Sequence, residues 1–538
     1  MPSTFPAMRS PGSLAPSRTL APELLRLARE RQAAGQLVEA ADGYAATATA
    51  AEREGDGSTL AQALRLQAAV VHIRGDSSRA RALCARSSAV ARGLGDSRLV
   101  AEALNTMGGL ELETGAPAAA AESFRLALGF AGEEWDLWGR IEQNLGTVAT
   151  VQGDGAMARW HYARSLRAYR RGGDRRGCAM VLHNLGMLSA DHRRWAESQR
   201  YFLKARRLAR AVQDYHLQAL CHLNSAEVEL ALGRPEAAEQ SAEAARHLFE
   251  ELGTKPDLAA VWKILGMASR EAGRLNLADA RLRTAIELAS STGNALTRAE
   301  SLLELARTHQ AFGHPAEVLA TLGEAYPLFL SLGARAEMSE IAGWLDQLEA
   351  RYLSSIGTCP SEMVIGRKGH GIRVAACAAR IAQTVGLDPL QVSAIRVGSQ
   401  VHDRGMARLP RGLLEKTSAL SPQERELVRR HPHWGLEGLP ALGCPWDVAS
   451  IVRSHHERYD GSGYPDGLAG EAIPLAAQIV GIADVYDGLT SDRSYRRAFT
   501  PAEAVACIAN QRHLWHPAVL DAFLRETGLS IPRDVAVA

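Results

Sequence analysis

The chain has 538 residues, 46% hydrophobic and 22% charged, so it is too long for one ordinary core and too apolar for disorder. Sixty-one Lys and Arg against sixty Asp and Glu leave a net charge of +1, which provides no global basic field for a nucleic-acid polymer. Seven scattered cysteines, none in a C-x-x-C pair, argue against a disulfide framework or zinc knuckle and fit a reducing cytoplasm; no run of eighteen apolar residues offers a membrane span.

Residues 1–20 are rich in Pro and Ser and lack the apolar stretch of a signal peptide, so a disordered tail is expected there. From there to about residue 350, Ala, Leu, Arg and Glu dominate, a composition of packed helices. Small residues recur in register at Ala28, Ala68, Gly108, Gly146, Gly186, Ala226, Gly266 and Ala306, at spacings of 40, 40, 38, 40, 40, 40 and 40. Seven residues after each comes Gly35, Gly75, Gly115, Gly153, Arg193, Gly233, Gly273 or Gly313, a helix-ending position with one departure from Gly. Five further on stands a second small or β-branched set: Ala40, Ala80, Ala120, Ala158, Ser198, Ala238, Ala278 and Val318.

Each unit therefore reads as helix, tight turn, helix, with small residues where two antiparallel helices cross closely. Phe124, Tyr162 and Phe202, four places beyond the second small residue, fill the flanks. At these positions the chain resembles the tetratricopeptide repeat, with a period near 40 instead of about 34. The resemblance implies a solenoid of about eight units over residues 21–350, closed by the helical segment Ala336 to Leu353, whose concave face takes a protein or peptide partner. Asn144 and Asn184 occupy matching repeat positions and read equally well as groove residues or as structural hydrogen bonds between units.

The register is lost around Ser354 to Pro360, where Gly357 and Pro360 break helicity, so residues 351–362 are read as a linker and 363–538 as a second domain. Eight of the seventeen histidines follow residue 360. Imidazole with carboxylate suits first-row metals, and the absence of cysteine pairs favours a catalytic over a closed structural site. A carboxylate directly after a histidine, as in His402-Asp403, can bridge two metals about 3.5–4 Å apart.

Two stretches carry more than a dipeptide: VHDRGMARLP from Val401, and the run from Ser454 to Tyr495 that contains HHERYDGSGYPDGLAGEAIP. With these motifs, the segment His370 to Phe523 resembles the HD-GYP family, helical HD-type metallohydrolases that hydrolyse cyclic di-GMP. The resemblance implies metal ligands at His370, His402, Asp403, His431, His455, His456 and Asp484, with His402 and Asp403 central to catalysis, and two divalent transition metals, Fe or Mn. It also implies substrate contacts at Gly463, Tyr464 and Pro465, although that run reads equally as a tight turn, and at Arg493, which reads equally as a solvated arginine. His433, His513 and His516 match no ligand position.

Three departures stand out. Gly366 lies where relatives with a third metal carry Glu, which points to a binuclear site. Met406 replaces the lysine after HD-x-G; loss of a cation that stabilises the transition state would cost about 2–4 kcal/mol. His516 stands where the family has Asp, which leaves local packing near the C-terminus open.

The expectation is an all-α cytoplasmic signalling protein, a tetratricopeptide-like solenoid followed by an HD-GYP domain that converts cyclic di-GMP to pGpG or GMP, with neither nucleic-acid polymer nor membrane as partner. Alternatives are a weakened domain acting as nucleotide receptor or interaction scaffold, and another cyclic dinucleotide as substrate.

Overall fold

The computed structural model describes residues 20–356, 369–416, 418–440, 443–492 and 497–528, and among them every regular element is a helix. The expected tail, Gly366 and Arg493 lie outside the described residues. Two compact units divide the chain between Ala272 and Gly273.

The first unit holds thirteen helices, from α1 (Leu20–Ala33) to α13 (Lys255–Glu271), mostly of 14–18 residues and packed as successive antiparallel pairs. Sequence marks many of the boundaries. Aspartates at positions 56, 76, 96, 154, 174 and 214 cap helix N-termini, each carboxylate accepting the backbone N–H three residues on. The turn glycines, Gly35 to Gly233, adopt positive φ, and Arg193, the one departure in the series, is forced into the same left-handed region at φ 55°.

The small positions are where aromatic rings lie. A Cβ on Gly146 would come within 2.5 Å of the Tyr162 ring, and one on Gly186 within 2.5 Å of Phe202. Glycine in one helix and an aromatic residue sixteen positions later thus form a single packing device. Asn144 donates to Asn105 Oδ1 at 2.9 Å, so it bonds one repeat to the next.

The second unit begins with four further helices of the repeat type, α14 (Leu275–Ser291), α15 (Ala295–Phe312), α16 (Pro315–Leu332) and α17 (Arg335–Ile356), and continues into the C-terminal helices. The helix expected from Ala336 to Leu353 is α17. Leu322, Phe329, Ile341, Trp344 and Leu345 share one apolar cluster with Val397, Val401, Trp446 and Val452, and Arg396 pairs with Asp346 at 2.9 Å. The register of the sequence breaks after α17, but packing joins α14–α17 to the C-terminal helices.

Those helices include α18 (His370–Val385), α19 (Pro389–Val401), the short α20 (Arg411–Leu414), α21 (Pro422–Val428), α22 (His431–Gly438) and α23 (Ala449–Ser454). They end with α24 (Leu475–Thr490), α25 (Pro501–Asn510) and α26 (Pro517–Thr527). Their core gathers Val374, Ile381, Ile395, Ile451, Ile479, Ile482 and Phe523. His516 is the N-cap of α26: its Nδ1 accepts the Ala518 N–H at 3.2 Å and its ring packs edge-on to Tyr459, so imidazole does the capping that a carboxylate could do.

Candidate metal centre

Helix ends deliver the site. His370 opens α18, His402 and Asp403 follow α19, His431 opens α22, His455 and His456 follow α23, and Asp484 lies within α24. Glycines allow these ends to meet. A Cβ on Gly405 would overlap the His431 carbonyl oxygen and lie 2.6 Å from Gly435 N, and one on Gly481 would stand 2.5 Å from the His455 carbonyl oxygen.

Asp403 sits at the centre. Its Oδ2 lies 3.8 Å from His370 Nε2 and 3.7 Å from His402 Nε2, and its Oδ1 lies 3.3 Å from His431 Nε2 and 3.9 Å from His455 Nε2. Asp484 Oδ1 joins the first side, 3.3 Å from His370 Nε2 and 3.9 Å from His402 Nε2. Two ligand groups result, Asp403 with His370 and His402, and Asp403 with His431, His455 and His456. All seven residues assigned as ligands from the sequence are brought together.

The imidazoles are held by their other nitrogen. Nδ1–H of His402 donates to the Ser399 carbonyl at 2.6 Å, that of His431 to Val428 at 2.8 Å, and that of His455 to Val452 at 3.1 Å; His370 Nδ1 meets Asp487 Oδ2 at 2.7 Å. Each tether fixes the tautomer and turns Nε2 toward the carboxylates. His370 and His402 are buried, and their Nε2 atoms have no hydrogen-bond partner. Buried imidazole nitrogens without a hydrogen-bond partner, next to a carboxylate shared by two ligand groups, fit a site able to hold metal.

The carboxylates draw positive charge into the site, as protons that a bound metal would displace. Burial opposes charge on His370, but Asp484, Asp487 and Asp403 outweigh it and push its pKa up to about 10. Burial also opposes ionisation of Asp403, yet His402, His431 and His455 hold its carboxyl well below the usual range. Burial and neighbouring imidazoles keep His455 and His456 far below the ordinary histidine value, so both are neutral and available as ligands.

The glycine-tyrosine-proline run borders the second group. The Tyr464 ring stacks on His456 at 4.7 Å between centroids, and the Arg429 guanidinium lies 5.2 Å from the Tyr464 ring centre. Gly463 leaves no room for a Cβ, which would stand 2.6 Å from the Glu457 carbonyl carbon, and Pro465 is exposed. His433 and His513 are exposed and pair with Glu437 and Asp460, away from both groups.

Two residues escaped the sequence reading. Asp487, one turn beyond Asp484, orients His370 and is itself gripped by Arg373 at 2.6 and 3.1 Å. Glu457, buried inside the HHERYDG motif, accepts the backbone N–H groups of Asp466 at 2.7 Å and Leu468 at 3.0 Å and so clamps the loop. Asp487 is marked by its i+3 spacing from Asp484; Glu457 carries no comparable mark.

Residues 361–518 match the family model described as HD domain. The chain is 42% identical over 201 residues to the cyclic di-GMP phosphodiesterase response regulator RpfG of Xanthomonas campestris pv. campestris, covering 36% of this chain and 52% of that one. It is 38% identical over 164 residues to a cyclic di-GMP phosphodiesterase of Pseudomonas aeruginosa, covering 30% and 39% of the two chains. It is also 38% identical over 133 residues to the 3'3'-cGAMP-specific phosphodiesterase 2 of Vibrio cholerae, covering 24% and 26%. The chain thus spans about half or less of these relatives. Its C-terminal segment is an HD domain of the kind found in cyclic di-GMP phosphodiesterases, preceded by tetratricopeptide-like helical repeats. Among the described residues no helix is long and apolar enough to cross a membrane.

Proposed function

We propose that the protein is a metal-dependent cyclic dinucleotide phosphodiesterase that converts cyclic di-GMP to pGpG and then GMP in the cytoplasm. The observation that carries this reading is the division of Asp403, one oxygen toward His370 and His402 and the other toward His431 and His455. Two divalent ions, Fe or Mn, would supply Lewis acidity and lower the pKa of the attacking water. His370, His402 and Asp484 would hold one, His431, His455 and His456 the other, with Asp403 shared. Tyr464, stacked on His456, would offer its ring to a guanine or ribose beside the second group, with Gly463 and Pro465 of the same run and Arg493 as further substrate contacts.

The repeats are read as the regulatory part, taking a protein or peptide partner on their concave face. Met406, in the turn Arg404–Arg408 directly after the metal carboxylate, favours a second reading, a receptor with little turnover. Product chromatography of full-length protein loaded with Mn or with Fe separates the two. Metal-dependent pGpG or GMP, lost in Asp403→Ala, supports the enzyme; tight cyclic di-GMP binding without product selects the receptor. Cyclic GMP-AMP run in parallel decides between the two dinucleotides.

A further inference from the structure

A second cluster lies in the first unit, on helices α7 (Trp135–Val151) and α8 (Gly155–Gly172). A cavity of about 350 Å³ opens there, lined by Trp135, Trp138, Arg164, Arg167 and Arg171. The three arginines follow one face of α8 at i, i+3 and i+7, so their side chains converge on one opening.

Two of them are held in place by rings. The Arg164 guanidinium is sandwiched between Trp138 at 4.7 Å and Trp160 at 4.4 Å, and that of Arg171 lies 4.9 Å from the centre of Trp135. Stacking covers the faces of a guanidinium and leaves its in-plane N–H edge as the recognition surface. Charge compensation is incomplete. The buried Glu142 accepts Arg164 Nε at 2.7 Å but is shared with His161 Nδ1, also at 2.7 Å. Among the described residues no carboxylate lies within 4 Å of the Arg167 or Arg171 guanidinium.

We propose that this cavity binds the phosphomonoester group of a small molecule. Preset forks and uncompensated positive charge suit an anion carrying about −1.5 to −2 charges and three acceptor oxygens better than a single carboxylate. The volume is that of a small-molecule site and the indoles give the ester substituent an apolar wall.

The test is calorimetric titration of the full-length protein with phenyl phosphate, benzoate and a penta-glutamate peptide. Phenyl phosphate should bind one-to-one and about tenfold or more tighter than benzoate. Arg167→Gln and Arg171→Gln, both exposed positions whose loss leaves the fold intact, should each weaken it about tenfold. Arg170→Gln, on the same helix outside the cavity, should leave the affinity unchanged, as should Asp403→Ala, which separates this site from the metal centre. No saturable binding, equal affinity in the Arg171→Gln protein, or tighter binding of penta-glutamate than of phenyl phosphate would each overturn the proposal, the last in favour of an acidic peptide.

Discussion

Asp487 Oδ2 meets Nδ1 of His370 at 2.7 Å, and the same carboxylate is gripped through both oxygens by Arg373. The aspartate is not one of the seven residues assigned as ligands, but through its bond to Nδ1 it decides where His370 Nε2 points. Asp487→Asn keeps the shape and removes the charge, so metal retention should fall about 10–100-fold. Metal content after dialysis against graded chelator measures this. Wild-type retention would mean that Arg373 and packing orient the ring unaided.

Gly405 carries a different constraint. Its missing Cβ lets the turn after the HD pair lie on the His431 backbone, with a peptide on each side that cannot move independently. Gly405→Ala should separate Asp403 from His431, abolish loading of the second metal before the first, and lower the melting temperature. Full loading by two metal equivalents, measured by elemental analysis, would show that α22 can recede.

The repeat period was legible because its cause is local. A Gly or Ala recurs at one crossing and a left-handed turn seven residues later, and both leave a mark in composition. The residues that meet around Asp403 were marked in the sequence by the family motifs they resemble, since those motifs carry the donor types in a recognisable order. The grouping of α14–α17 with the C-terminal helices was not, because the residues that join them, such as Phe329, Ile341 and Trp446, are ordinary core residues in sequence. Glu457 was hidden by its role, since a carboxylate that accepts two backbone N–H groups looks like any other acid until the loop is closed around it.

The pairing of Gly186 with Phe202 can be tested by a cycle. Gly186→Ala places a methyl 2.5 Å from the ring and should destabilise the first unit by about 1–3 kcal/mol. Phe202→Leu alone should also destabilise. Together they should cost less than their sum, because the smaller side chain leaves space for the methyl. Additive losses in urea melts would show that the two residues do not share one packing device.

His222 gives the repeats a pH response of known sign. Burial, and then the Arg206 guanidinium 3.3 Å away, lower its pKa to about 4, below the unfolded value near 6.5. The neutral ring is therefore fully stabilising above pH 6.5, and that contribution is lost as pH falls toward 4, where the unfolded chain takes up the proton first. His222→Gln should show a smaller drop in melting temperature between pH 7 and pH 4.5 than the wild type. Parallel curves for the two proteins would remove His222 as the cause.

Met406 is the residue on which the strength of the proposed reaction turns. It lies in the short turn directly after Asp403, its N–H donating to the Asp403 carbonyl at 2.9 Å, so whatever side chain stands there begins within one turn of the metal carboxylate. A thioether can pack but cannot neutralise a phosphoryl oxygen, whereas an ammonium can. Met406→Lys should therefore raise kcat for cyclic di-GMP by roughly tens to a thousandfold, with the metal content unchanged. A gain in kcat without a change in KM would place the cation at the transition state; a fall in KM alone would place it in ground-state binding. If neither parameter moves while the metals stay bound, the missing lysine is not what limits the site, and the arginine beside Tyr464, Arg429, becomes the next cation to remove.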